Sequence, residues 1–258
     1  MPVVIKYIDM GTNTGQIKQN VRLSCDMLKL IACVFMFIDH VGYGIIHNYL
    51  MAHSMDIAPD SYTKLHDAYE VCKGIGRLAF PIFCFFIVEG FLHTRNVTKY
   101  AARLAVFAIL SELPFDLGLY GTMLKPDHQN ILVTFFMALI MLIIIRYLER
   151  NVLGLSQTVL YLTLLCVVIV FADLAYILHT DYSWKCMLLV TVLYFARSNK
   201  ALKLIMGAAA TCWEKYAPAS FLLLYFYDPD IRPKYKYAFY LFYPLHLLLI
   251  YLIAKIVI

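Results

Sequence analysis

Residues 26–42 read DMLKLIACVFMFIDHVG, an apolar run that opens with an aspartate and a lysine and carries an Asp-His pair deep inside. In an α-helix, Asp39 and His40 lie about 16 Å further along the axis than Lys29. The hydrocarbon core of a bilayer is about 30 Å thick, so the pair is expected near its midplane. Ionisable groups at that depth are costly and usually functional. The stretch therefore predicts a membrane-spanning helix with a polar site inside it.

The composition of the whole chain is that of a membrane protein. Of its 258 residues, 62% are hydrophobic and 15% are charged, whereas a soluble domain has about 45–50% apolar and about 25% charged residues. Apolar runs of spanning length recur, which predicts an all-α, polytopic transmembrane helical bundle with the lipid bilayer as its surroundings. The net charge of +5 is explained by basic cytoplasmic loops, so no nucleic acid is expected. Seven scattered cysteines without a CxxC pair argue against a disulfide framework or a metal site.

The apolar runs predict about eight or nine spanning helices. Basic residues cluster in the N-terminal flank and in alternate loops, which predicts a cytoplasmic N-terminus. Residues 1–24 form a polar cytoplasmic segment and residues 25–258 a single membrane domain. Nine spans are favoured because the basic residues of 228–236 then face the cytoplasm. The expected spans are 27–51, 75–93, 100–120, 130–147, 155–178, 184–196 and 236–256, with 201–227 as either one long helix or two short segments broken at WEKYAP.

Lys29 and His40 are expected on the same face of the first helix, because their spacing follows the i, i+4, i+7, i+11 pattern. Asp26 stands one turn before Lys29 and could pair with it. The alternative is that Asp26 caps the helix and Lys29 extends to the membrane interface. His40 beside Asp39 indicates chemistry, since a histidine exchanges protons near neutral pH.

Three further polar residues are candidates for the same site. Arg77 is expected at the mouth of the second span, where its planar donors suit phosphate or carboxylate, or where it anchors the helix. Asn130 begins the fourth span and either caps that helix or binds substrate. His246 follows Pro244 in the last span and is either a satisfied core histidine or part of the site.

Four motifs resemble those of the TraX family of membrane proteins, and they occur in the family's order. The family is named for a pilin acetylase and is grouped with a wider set of transmembrane acyltransferases. Those proteins share a helix with a basic residue eleven positions before a histidine, often after an aspartate three residues earlier. Asp26, Lys29 and His40 match that spacing, with lysine where many relatives have arginine. The motifs are DMLKLIACVFMFIDH at 26–40, GRLAFPIF at 76–83, NIL at 130–132 and FYPLHL at 242–247.

The resemblance implies transfer of an acetyl group from cytoplasmic acetyl-CoA to an acceptor at or across a bacterial cytoplasmic membrane, without a metal. His40 would act as general base or carry the acyl group, with Asp39 orienting it. Lys29 and Arg77 would hold the donor at the cytoplasmic mouth. The acceptor stays open among a sugar, a peptide amine and a surface polymer. The full set of expected donor- or substrate-binding residues is Asp26, Lys29, Arg77, Asn130 and His246.

Two other classes of function fit the same sequence. In a proton-coupled transporter, Asp39 and His40 would relay protons, and paired, symmetric broken helices would be expected. The sequence shows no such internal repeat. In a non-catalytic membrane scaffold, His40 would be dispensable.

Overall fold

The structure, a computed structural model, describes residues 22–151, 156–231 and 234–258. Within these residues the chain forms eleven α-helices and no β-strand, so the predicted all-α class is confirmed. Most of the polar segment 1–24 lies outside the described residues. The first helix, α1 (Cys25–Val41), begins at Ser24, whose hydroxyl accepts a hydrogen bond from the Met27 amide at 3.1 Å. Ser24, and not Asp26, therefore caps this helix.

Among the described residues, five helical segments are long and apolar enough to cross a membrane, each of at least 21 residues, or about 30 Å. They are Cys25–Ala52, Pro59–His93, Ile131–Asn151, Gln157–Ile177 and Tyr237–Val257. The other helices are shorter or more polar than a typical span. After α1 and a π-helical turn at Gly42–His47, the helices are α2 (Asn48–Ala52), α3 (Pro59–Gly76), α4 (Ala79–His93), α5 (Val97–Phe115), α6 (Ile131–Asn151), α7 (Gln157–Ile177), α8 (Ser183–Phe195), α9 (Lys200–Ala210), α10 (Ser220–Tyr225) and α11 (Lys236–Val257).

Helices α3 and α4 follow each other almost without interruption over 35 residues. The predicted spans 27–51 and 75–93 leave a loop between them, and that interpretation is wrong. Pro59 occupies the first turn of α3, where its missing N–H costs nothing. Gly76 and Arg77 consequently lie in the middle of a long helical segment and not at its mouth.

The ambiguous stretch 201–227 is not one long helix but two short ones, α9 and α10. Lys200 Nζ donates to the Tyr227 carbonyl at 2.9 Å, so both ends of the stretch meet. Tyr227 also forms an isolated bridge with Leu23, beside the start of α1. At its far tip, the Trp213 ring lies 6.2 Å from the Phe80 ring. The stretch therefore enters the bundle and returns to the end where α1 begins.

Helix α4 is the centre of the bundle, and α7 lies at its edge. Eleven of the fifteen residues of α4 are buried, against α1, α6, α8 and α10. In α7, by contrast, the buried residues are Leu164 and Ala175. An apolar helix with so much exposed side-chain surface is typical of one that faces lipid. A cavity lies beside α4, on the side of α1, α5 and α11.

Candidate functional site

A cavity of about 420 Å³ follows α1 from its first turn to its last. Asp26 and Lys29 line one end, and Asp39 and His40 line the other. The rise of an α-helix separates the two ends by about 16 Å. Lys29 and His40 thus line the same cavity, as their spacing predicts. The cavity runs without interruption between the polar groups at its two ends.

The His40 ring is paired with the His246 ring. His40 Nδ1 lies 2.7 Å from His246 Nε2, and the ring planes are nearly parallel, 7° apart, with centroids separated by 5.0 Å. On its other side, His246 Nδ1 lies 2.9 Å from the Phe242 carbonyl oxygen.

The hydrogen-bond pattern fixes the tautomers of the two rings when both are neutral. A carbonyl oxygen only accepts, so Nδ1 of His246 must carry the proton and its Nε2 must accept. Nδ1 of His40 then donates to His246, which leaves Nε2 of His40 with a free lone pair. Since His40 lines the cavity, this nitrogen is available as a base toward a molecule bound there.

Asp39 does not orient His40, so that expectation is wrong. The two residues are adjacent in the helix and their side chains diverge. Asp39 packs against Gly76 so closely that a side chain on Gly76 would overlap it. The Asp39 carboxylate interacts electrostatically with Arg77 and Asp181. The residue that orients the imidazole is His246.

Arg77 lies at the level of Asp39 and not beside Lys29, contrary to the sequence interpretation. Arg77 Nη1 donates to the Tyr182 hydroxyl at 3.1 Å, and its Nε lies 3.6 Å from Glu214 Oε2. The misplacement follows from reading α3 as a loop. In the structure Arg77 joins the α3–α4 junction to the loop before α8 and to the tip after α9.

The loop between α7 and α8 contributes two cavity residues that sequence reasoning missed, Asp181 and Tyr182. The predicted spans 155–178 and 184–196 leave these residues as a short connection, and nothing local in HTDYSW marks it as part of a site. Thr134 Oγ1 donates to the Asp181 carbonyl at 2.7 Å, and the Tyr182 ring stacks on Phe80 at 3.8 Å. Burial raises the pKa of the Asp181 carboxyl to about 6, although the nearby Arg77 lowers it.

The backbone of this loop is strained. His179, Tyr182 and Ser183 have φ values of 51°, 57° and 43°. Residues other than glycine seldom adopt positive φ, at a cost of about 1–3 kcal/mol each. Such strain persists where surrounding contacts hold it, and it is concentrated at functional sites. Here it turns Asp181 and Tyr182 into the cavity.

Asn130 caps the start of α6. It is fully buried, and its Oδ1 accepts from the Leu132 amide at 3.0 Å. Its Nδ2 donates to the Ala108 carbonyl at 2.9 Å and to the Glu112 carboxylate. The side-chain amide is thus hydrogen-bonded within the protein, and its role in binding substrate stays a prediction.

The predicted ion pair between Asp26 and Lys29 does not form. Asp26 Oδ2 accepts instead from the backbone amides of Lys234 and Tyr235, at 2.5 and 3.3 Å. Lys29 Nζ lies 5.3 Å from the Phe86 ring and 5.7 Å from the Phe239 ring, both of which line the cavity. Within the described part of the chain it has no ion pair. Its charge is therefore available to an anion in the cavity.

Two more cavity residues escaped the sequence analysis, Arg103 and Tyr243. Arg103 lines the same end as Lys29, and its buried Nε has no hydrogen-bond partner among the described residues. Tyr243 stands beside the other end, with its ring 6.3 Å from the His40 ring. Its buried hydroxyl also has no partner in the described ranges. The sequence did not single out either residue, because basic and aromatic residues are common at the helix ends of membrane proteins.

Comparison with known proteins adds two findings. A family model described as TraX protein matches residues 24–254, a range that includes every cavity residue discussed above. A curated relative, the probable fimbrial assembly protein FimC, serogroup H1, of Dichelobacter nodosus, is 27% identical over 259 residues. That match covers 90% of this chain and 96% of the relative. No solved structure matches the chain.

Proposed function

We propose that this chain, which belongs to the TraX protein family, is an integral membrane acyltransferase that uses acetyl-CoA as its donor. The observation that carries the proposal is the single cavity that joins a cationic end, at Lys29 and Arg103, to the free Nε2 of His40. The resemblance of the sequence motifs to transmembrane acyltransferases supports the same reaction class.

The shape of the cavity suits coenzyme A. The coenzyme carries its phosphates and its thioester at opposite ends of a long flexible arm. Lys29 and Arg103 provide cations for the phosphates, since ammonium and guanidinium groups both bind phosphate oxygens. The arm extends along α1, and the thioester reaches His40. Arg77 is not part of this donor site, because its donors are directed to Tyr182 and Glu214.

The chemistry assigned to the far end is general base catalysis. His40 Nε2 removes the proton from the acceptor hydroxyl or amine as that group attacks the carbonyl carbon of the thioester. The Tyr243 hydroxyl donates a hydrogen bond to the carbonyl oxygen as it gains negative charge. When the C–S bond breaks, the thiolate takes the proton back from the imidazolium and leaves as coenzyme A. In the two-step alternative, His40 Nε2 itself attacks the carbonyl carbon of the thioester, and the C–S bond breaks to release the coenzyme A thiolate. The acceptor then attacks the acetyl-imidazolium, which restores His40, and the acceptor's proton passes to the thiolate.

The proposal includes the orientation of the protein in the membrane. The ends of α4, α6 and α8 and the start of α1 carry or adjoin basic residues, which supports a cytoplasmic location for the Lys29 end. The five long helices, with the shorter ones between them, then form the proposed eight or nine spans of a bacterial cytoplasmic membrane protein.

The acceptor would approach His40 from the side of the membrane opposite to the Lys29 end. The name of the fimbrial relative favours a surface polymer or its peptide subunit over a free sugar.

Acetyl transfer is tested with the full-length protein in lipid nanodiscs and radiolabelled acetyl-CoA. Release of coenzyme A and label on the protein or a co-purified acceptor are measured for wild type and for His40→Ala. The proposal predicts release and labelling that depend on His40. Absence of coenzyme A binding and release, together with a His40-dependent proton flux in liposomes, would favour the transporter.

A further inference from the structure

A second pocket, of about 500 Å³, lies apart from the catalytic cavity, where α6 and α8 end and α7 begins. Three arginines line it: Arg146 and Arg150 of α6, and Arg197 just after α8. Leu160 and Leu164 of α7 form an apolar wall. The acyltransferase proposal makes no use of this pocket.

Three arginines but only one acidic residue, Glu149, are among the described residues that line this pocket. Glu149 lines the pocket, but its Oε2 accepts from the Tyr194 hydroxyl at 2.6 Å and lies 3.5 Å from Arg197 Nη2. Arg146 and Arg150 are four residues apart on one helix, and like charges at that spacing destabilise a helix. The pocket thus has an excess of positive charge that a bound anion would neutralise.

We propose that this pocket binds the phosphate of an anionic phospholipid headgroup. Guanidinium groups match phosphate oxygens in pairs, and a phosphate between Arg146 and Arg150 would turn their repulsion into attraction. Basic pockets between membrane helices are typical sites for such headgroups.

A lipid is favoured over a free anion by the position of α7. This helix is largely exposed and apolar, so one wall of the pocket is continuous with the surface that faces lipid. The acyl chains of a lipid could follow Leu160 and the exposed Tyr161 onto the outer face of α7 while its phosphate remains among the arginines. The inference does not depend on the reaction at His40.

The test is native mass spectrometry of the full-length protein in detergent, with phosphatidylglycerol or phosphatidylcholine added. We expect wild type to retain phosphatidylglycerol about tenfold better than phosphatidylcholine, and the Arg146→Gln/Arg150→Gln variant to lose that preference. The matched control is Arg95→Gln/Lys99→Gln, which removes two exposed charges, one from the loop after α4 and one from the first turn of α5, and should keep the preference. Arg197→Gln provides a second pocket variant if the double variant does not fold.

Three results would overturn the inference. Equal losses in the pocket and control variants would show that only general surface charge attracts the lipid. An unchanged preference in both pocket variants would place the lipid elsewhere. Displacement of phosphatidylglycerol by an equal concentration of inorganic phosphate or coenzyme A would identify the pocket as a site for a soluble anion.

Discussion

The Nδ1 atom of His40 lies 2.7 Å from the Nε2 atom of His246, although 206 residues separate the two in sequence. The Phe242 carbonyl completes the series by accepting from His246 Nδ1 at 2.9 Å. Catalytic imidazoles are commonly held by a partner at one nitrogen so that the other faces the reacting groups. The pair therefore supports the proposed role of His40 as the base in the cavity.

Replacement of His40 by alanine should abolish transfer and leave the fold intact. A general base contributes about 10²–10⁴-fold to rate, so the rate of coenzyme A release should fall by that factor in His40→Ala. Thermal unfolding in detergent should remain close to that of wild type. His47→Ala removes a histidine that does not line the cavity and should keep full activity. Activity retained in His40→Ala would remove the catalytic assignment.

Loss of His246 should reduce turnover through His40. In His246→Ala the His40 ring loses its acceptor and its fixed tautomer, so we expect kcat to fall about 10–100-fold, as for other residues that position a catalytic group. The KM for acetyl-CoA should stay unchanged. The double variant His40→Ala/His246→Ala should be no slower than His40→Ala alone, because the two residues act as one unit. Independent, additive losses would show that His246 acts elsewhere.

Lys29 and Arg77 should respond differently to substitution, although the sequence suggested one role for both. A charged hydrogen bond to phosphate contributes about 1.5–3 kcal/mol. Lys29→Ala should therefore weaken coenzyme A binding by about tenfold or more, with unchanged thermal stability. Arg77→Ala leaves Glu214 without its partner and should lower the unfolding temperature while coenzyme A affinity is kept. Calorimetric titration and thermal unfolding of both variants measure this, and the reverse pattern would move the donor site toward Arg77.

Asp181 should make the folded protein less stable as the pH rises. Burial raises the pKa of its carboxyl to about 6 in the folded protein, above that of the unfolded chain. The folded state thus holds this proton more tightly, and the residue destabilises the fold progressively as pH rises from about 4 to about 6. Asp181→Asn should raise the unfolding temperature at pH 7, and this gain should vanish near pH 4. Asp127→Asn, in an exposed loop, is the control. A gain that grows toward acid pH would contradict the assignment.

Local patterns in the sequence were sufficient to predict the first helix and its polar face. Lys29 and His40 line one cavity because helical periodicity is a property of neighbouring residues. The all-α class followed equally directly from composition. The sequence suggested either a helix cap or a substrate contact at Asn130; the structure shows the cap, and the substrate contact stays a prediction.

The sequence patterns did not predict the contacts between helices. Nothing local pairs His40 with His246, since the contact depends on how α1 packs against α11. Arg77 was misplaced because the polar residues of α3 were interpreted as a loop, although a long helix can extend beyond the membrane with a polar end. Asp181 reaches the cavity through a strained loop whose positive φ values involve no glycine. The turn-forming residues of this loop did not by themselves predict its backbone conformation.

The central claim is that the thioester of acetyl-CoA reaches His40 along α1. The most direct measurement is an electron cryomicroscopy structure of the protein in nanodiscs with a non-hydrolysable acetyl-CoA analogue. The account predicts the analogue's phosphates beside Lys29 and Arg103, and its carbonyl carbon about 3–3.5 Å from His40 Nε2. An analogue bound outside this cavity, or a cavity filled by lipid chains with no coenzyme bound, would contradict it.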